Sequence, residues 1–139
     1  MNIYFACSVT GGREYQAIYQ SITDTLLDCG HIVPTAHLAD PGVVKLENIV
    51  YAREVYTRDV NWIEGCDLLI AEISTPSHGV GYEIAYALNL KKTVVCLYQE
   101  GIKVSKMITG NPHPQLNLIS YPDKDQAINR LHSFLSSYK

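Results

Sequence analysis

Ser74-Thr75-Pro76-Ser77-His78-Gly79-Val80-Gly81-Tyr82-Glu83-Ile84-Ala85-Tyr86-Ala87-Leu88-Asn89-Leu90 is the stretch around which the chain is organised. It follows the apolar run Leu68-Leu69-Ile70-Ala71-Glu72-Ile73, which reads as a buried strand. Its opening turn is rich in Pro, Ser and Gly. The helix that follows is apolar nearly all round, which predicts burial on several sides. Between Glu72 and Lys91 the only formal negative charge is Glu83. A carboxylate in such surroundings is costly unless it is partnered or used. Strand, glycine turn, helix and lone Glu therefore mark the candidate active site.

Working outward, Ile3–Ala6 reads as a first strand and Cys7-Ser8-Val9-Thr10-Gly11-Gly12 as a turn. Tyr15, Ile18, Tyr19, Ile22 and Leu26 recur at helical spacing until Cys29-Gly30 ends that helix. His31-Ile32-Val33 reads as a short second strand. Ala36 to Asn48 has Pro41-Gly42 and little periodicity, so a mobile loop is expected there. Ile49 to Glu64 is helical, with Ala52, Tyr56, Val60 and Ile63 on one stripe. Further strands are expected at Leu68–Ile73, Thr93–Tyr98 and Leu116–Tyr121, with a closing helix over Asp123–Tyr138. Gly101 to Gly110 reads as a loop with one helical turn.

Strands alternating with helices predict an α/β domain with a parallel sheet covered on both faces. Five such strands give a three-layer flavodoxin-like (Rossmann-like) architecture, expected to take up residues 1–139 as one domain. Ligands in such folds sit beyond the carboxyl ends of the strands, near the reversal of strand order. Ser8–Gly12 and Pro76–Gly81 each follow a strand and precede a helix, so both fall on that edge.

The 139 residues are 47% hydrophobic, enough for one substantial core. Net charge is −3, and the 14 acidic and 11 basic residues are dispersed, which argues against gripping nucleic acid. An anionic ligand must then be held by local backbone N–H groups and hydroxyls. No apolar run reaches membrane-spanning length. The start of the chain passes directly into Ile3-Tyr4-Phe5-Ala6, with no signal-peptide pattern. Cys7, Cys29, Cys66 and Cys96 are widely spaced, without a Cys-x-x-Cys pair or His at zinc spacing. Reduced thiols and a cytoplasmic location are expected, with no metal and no organic cofactor.

Several side chains have both a structural and a chemical explanation. Glu83 serves either as a carboxylate near a helix N-terminus or as a reacting group that a ligand approaches past Gly79 and Gly81. Asp59 has Val55 at i−4 and Trp62 at i+3 on its helix. It is either a surface partner of Arg58 or Arg53, or the second carboxylate of a cleft. Two carboxylates on facing walls suit glycosidic chemistry, one attacking the anomeric carbon and the other assisting the leaving group. Tyr4 is either a core aromatic or a phenol hydrogen-bonded to Glu83. Ser77 and Ser8 are either helix caps or anion ligands, since both uses share one geometry. His31, His37, His78, His113 and His132 show no pairing pattern.

At these residues the chain resembles the nucleoside 2-deoxyribosyltransferase superfamily, and within it the hydrolytic branch acting on 2′-deoxynucleoside 5′-monophosphates. The resemblance runs through Tyr4-Phe5, Ser8-x-x-Gly11-Gly12-Arg13-Glu14, Thr35-x-His37, Asp59-x-x-Trp62 and Cys66-Asp67. It continues through Pro76-Ser77-x-Gly79-Val80-Gly81-Tyr82-Glu83 and Ser105-x-Met107-Ile108-x-Gly110. It implies Glu83 as the nucleophile at C1′, Asp59 as the acid assisting the departing base, and Tyr4 as the phenol that tunes Glu83. It further implies Ser77, with Ser8, Gly11 and Gly12 nearby, at a 5′-phosphate, and His37 beside the base. Ser105 would reach in from the neighbouring subunit of a homodimer.

Family transferases acting on unphosphorylated nucleosides look to carry a carboxylate where this chain has Ser77. A carboxylate repels a phosphate, whereas a serine at a helix N-terminus accepts it, so Ser77 implies a nucleotide substrate. Two departures concern affinity: Thr10 stands where mammalian hydrolases carry Arg, leaving Arg13 as a replacement cation, and His78 replaces an apolar residue. The expected reaction is cleavage to free base and 2-deoxyribose 5-phosphate. Base exchange, cleavage of ribonucleotides, and nucleotide sensing without turnover remain the alternatives.

Overall fold

The computed structural model describes residues 1–138. Four parallel strands form the sheet: β1 (Ile3–Ala6), β2 (Leu68–Glu72), β3 (Thr93–Gln99) and β4 (Leu116–Tyr121), in the spatial order β1-β2-β3-β4. The register pairs Tyr4 with Leu69 and Ala6 with Ala71, and next Glu72 with Leu97. Every residue of β1 and β2 is buried, as expected for parallel strands covered on both faces.

The expected fifth strand at His31–Val33 is reduced to a single bridge between Asn2 and Ile32. Gly30, at a positive φ of 78°, turns the chain into this segment, and Pro34, which has no N–H, ends it. The bridge lies on the side of β1 away from β2, so the chain leaves β1 in one direction and returns to the sheet in the other. That reversal is where a ligand crevice opens in doubly wound sheets.

Alternation along the strands sorts side chains into two cores. Ile3, Phe5, Leu68, Ile70, Val95 and Leu97 face a layer made by α1 (Gln16–Asp28) and α6 (Lys124–Ser137). Tyr4, Ala6, Leu69, Ala71, Val94 and Cys96 face the layer of α3 (Ala52–Gly65) and α4 (His78–Asn89). Strand parity therefore points the Tyr4 phenol at the helices that carry Asp59 and Glu83.

Helix α4 is not buried on several sides. Val80, Ile84, Ala87 and Leu88 form one inward stripe, while Tyr82 is 51% exposed. Tyr82 stacks on Tyr86 with centroids 6.0 Å apart and lies against Tyr56 at 6.2 Å, forming an aromatic row on the outer face. The segment expected to be a mobile loop is also structured. It holds a 3₁₀ turn over Ala36–Ala39 and the short helix α2 (Val43–Glu47). The only signal for α2 in the sequence is the pair Val43 and Leu46, and of these Val43 alone is buried. Helix α5 (Lys106–Thr109) supplies the helical turn expected between Gly101 and Gly110. No helix of the described residues is long and apolar enough to cross a membrane.

Candidate active site

Two loops meet at the carboxyl edge of β1 and β2. Gly11 lies so close to the second loop that a Cβ there would stand 2.5 Å from the Pro76 carbonyl oxygen and 2.9 Å from Ser8 Oγ. Gly12 has φ 129°, a conformation that side-chain-bearing residues rarely adopt. Gly11 is thus explained by contact between the loops and Gly12 by its own backbone conformation.

Beside this junction lies a cleft of about 730 Å³, whose walls include Asp59 from α3, Glu83 and Gly79 from α4, and Ser77. That volume suits a small organic ligand. Tyr4 Oη donates to Glu83 Oε1 at 2.8 Å. Burial pushes the Glu83 carboxyl up to about 7; the Tyr4 hydrogen bond opposes this rise and the nearby Asp59 charge adds to it. The Tyr4 phenol is itself raised well above its ordinary value, chiefly by burial and then by the Glu83 charge. It therefore stays protonated and acts only as a donor. A carboxylate with one phenol partner, facing a cleft and titrating near neutrality, is suited to nucleophilic or general-base work.

Asp59 satisfies both explanations at once. Arg58 Nε donates to Asp59 Oδ1 at 2.8 Å, and the same Asp59 side chain, 14% exposed, lines the cleft opposite Glu83. Arg58 also donates end-on to Glu47 Oε1 and Oε2, at 3.2 and 3.4 Å, and lies 5.0 Å from the Trp62 ring centroid. Glu47 lines the cleft as well.

Ser77 caps α4, its hydroxyl accepting from the Val80 N–H at 3.3 Å. The first turn of this 12-residue helix, His78, Gly79 and Val80, lines the cleft. Thr10 and His78 line the same region. An added Cβ would meet only Ser77 Oγ, at 3.8 Å, from Gly79 and nothing within 4 Å from Gly81. Packing within the chain does not require glycine at either helical position, where it costs about 0.5–1 kcal/mol relative to Ala.

Other expected residues are placed differently. Ser8 is fully buried, its hydroxyl has no partner among the described residues, and it does not line the cleft. Arg13 donates to the carbonyls of Ser8, Leu38 and Asp40 at 3.0, 2.8 and 3.0 Å, so its guanidinium ties the first loop to the 3₁₀ turn and its C-cap. His37 faces Glu47 at 3.2 Å and packs edge-on to Trp62 at 6.0 Å, outside the cleft lining. Ser105 is exposed and caps α5. It lines a neighbouring cavity of about 830 Å³, which shares Ser77, His78 and Val80 with the cleft but lacks Glu83 and Asp59. Among the described residues no three His, Cys, Asp or Glu side chains are grouped to hold a metal.

A phenol-bound carboxylate and a second carboxylate over one cleft suit glycosidic chemistry. The sequence matches the family described as nucleoside 2-deoxyribosyltransferase over residues 3–119, and the chain belongs to that family. It is 42% identical over 124 residues to a protein of Methanosarcina mazei provisionally named 2′-deoxynucleoside 5′-phosphate N-hydrolase 1, covering 89% of this chain and 77% of that one. It is 34% identical over 140 residues to a 5-hydroxymethyl-dUMP N-hydrolase of Danio rerio, covering 99% and 97%. Its fold is similar to that of a CMP N-glycosidase from Clostridium botulinum, with a TM-score of 0.74 at 19% identity over 95% of this chain and 98% of the other.

Proposed function

We propose that the protein hydrolyses the N-glycosidic bond of 2′-deoxynucleoside 5′-monophosphates, releasing free base and 2-deoxyribose 5-phosphate. The observation that carries this reading is the 2.8 Å Tyr4–Glu83 hydrogen bond in a cleft that also holds Asp59 and the N-terminus of α4. The N-hydrolase names of relatives at 42% and 34% identity support it.

The 5′-phosphate sits at the α4 N-terminus, where amides and the Ser77 hydroxyl meet it without adding negative charge. This fixes C1′ against Glu83. An ionised Glu83 oxygen bonds to C1′ as the C1′–N bond breaks, and the electron pair leaves on the base nitrogen. Asp59, with Oδ1 on Arg58, turns its other oxygen toward the departing base and assists its protonation. Water then attacks the glycosyl ester, giving the sugar phosphate and restoring Glu83. Tyr4 holds the attacking oxygen in place through both steps.

The protein acts as a homodimer in the cytoplasm, a single domain in each subunit. Ser105 completes the phosphate site of the neighbouring subunit. The row of exposed Tyr56 and Tyr82 with half-buried Tyr86, and the exposure of Ser105 outside its own chain's cleft, support this arrangement. The four unpaired cysteines suit a reducing compartment.

Ser77→Asp tests the substrate class. With a carboxylate at the helix N-terminus, activity on a deoxynucleotide should fall about a hundred-fold or more relative to activity on the matching deoxynucleoside. An unchanged ratio in assays of base release would remove Ser77 and the α4 N-terminus from phosphate recognition.

A further inference from the structure

The proposed reaction gives roles to Tyr4, Asp59, Ser77 and Glu83 but none to the third carboxylate on the cleft wall, Glu47. Its side chain is 15% exposed and is held from behind by the Arg58 fork at 3.2 and 3.4 Å and by His37 at 3.2 Å. Two of these three contacts fall on Oε1. Among the described residues Oε2 has only the longer Arg58 contact, so lone pairs remain for a donor in the cleft. Arg58 itself is absent from the cleft lining and faces carboxylates on two sides, Asp59 at Nε and Glu47 at its two terminal nitrogens. The cleft therefore presents the acceptor and not the cation behind it.

Because one guanidinium bridges both carboxylates, Glu47 is held near Asp59, the residue assigned to the departing base. The phosphate lies at the α4 N-terminus and C1′ at Glu83, which leaves the α2 wall for the far edge of the base. This placement rests on the function proposed above. We propose that Glu47 is a specificity-determining residue that selects bases carrying an exocyclic amino group on that edge over the 4-oxo pyrimidines uracil and thymine. A carboxylate only accepts hydrogen bonds; it pairs with an amino group and is set against a carbonyl oxygen. Asn48, also on this wall, offers both a donor and an acceptor and does not discriminate.

The test uses dCMP and dUMP, whose bases differ at ring position 4, amino against oxo, and at the adjacent N3, which carries a proton only in uracil. The wild-type protein should release cytosine with a kcat/KM at least about ten-fold above that for uracil. Glu47→Gln, whose amide both donates and accepts, should bring the two values to within about three-fold. Equal or better use of dUMP by the wild type overturns the proposal, as does an unchanged ratio in a folded Glu47→Gln. Should that variant not fold, the wild-type ratio decides alone. Calorimetric binding of dCMP and dUMP separates the two levels of inference. Ten-fold tighter dCMP binding without base release overturns the proposed reaction and keeps Glu47 as the selector. Base release from both nucleotides without preference keeps the reaction and overturns the selector.

Discussion

Glu72 and Glu83 flank the same loop, yet they sit on opposite faces of the sheet with different sets of hydrogen-bond donors. Glu72 ends β2 on the α1/α6 side with no exposed surface. It accepts from the Ser74 hydroxyl, from the Ser74 N–H at 3.4 and 3.3 Å, and from Tyr121 Oη at 2.7 Å. Burial raises its carboxyl and these donors pull it back. Glu83 is only partly buried, has Tyr4 as its one side-chain hydrogen-bond donor among the described residues, and lines a cleft. A fully surrounded carboxylate anchors a loop, whereas one left short of partners keeps an oxygen for a substrate. Burial alone distinguishes neither role; the count of donors does.

The largest expected effect sharpens the comparison on the cleft side. Glu83→Gln preserves shape and the Tyr4 contact but removes the carboxylate proposed as nucleophile, so base release should fall by about a thousand-fold or more with the circular dichroism spectrum unchanged. Near-wild-type turnover would place Glu83 with Glu72 as a structural group. On the other face, Glu72→Ala leaves the Tyr121 hydroxyl and Ser74 donors unpaired in a new cavity. It should lower unfolding stability by about 3 kcal/mol in urea titration, while turnover per folded molecule drops far less than in Glu83→Gln. A stability loss too small to measure would remove Glu72 as an anchor.

A smaller effect concerns pH. The folded state holds the Glu83 proton up to about 7, against 4.5 ordinarily, so it binds more protons than the unfolded chain between those values. The contribution of Glu83 to stability therefore declines as pH rises through that window and levels off above it. Glu83→Gln removes this slope. The variant should be about 1–2 kcal/mol more stable than wild type at pH 8 and equal to it below pH 4.5. A constant difference across the window would contradict the raised carboxyl. Smallest is Tyr4→Phe, expected to slow base release about ten-fold. Loss of a donor to the ionised form raises Glu83 further, so the ascending limb of the pH–rate profile should move to higher pH. A slower rate with an unmoved limb would make Tyr4 a packing residue only.

Much of this site could be read from local pattern. Tyr4 and Glu83 are joined by strand parity and by a helix that follows a glycine turn, and Asp59 by its place on the preceding helix. What escaped reading depends on partners distant along the chain. Arg13 reaches the carbonyls of Leu38 and Asp40, which no spacing rule connects to it. Arg58 was visible as a neighbour of Asp59, but its fork to Glu47 needs α2, and α2 has too short an apolar pattern to be recognised. The His31–Val33 strand was overestimated because β propensity does not show that Pro34 leaves room for only one bridge. Likewise, the outer side of α4 is apolar without being buried, and hydropathy alone cannot separate an internal face from an aromatic outer one.

The contact of Gly11 with the Pro76 carbonyl bears on how such enzymes can be recombined. The first loop and the Ser77 loop are separate in sequence, and they look like independent modules for exchange between relatives. With a Cβ at Gly11 standing 2.5 Å from Pro76, neither loop tolerates a partner of different shape. A chimaera that imports one loop alone, with a side chain at position 11, inherits a collision beside its own cleft. The two are transplantable only as a matched set.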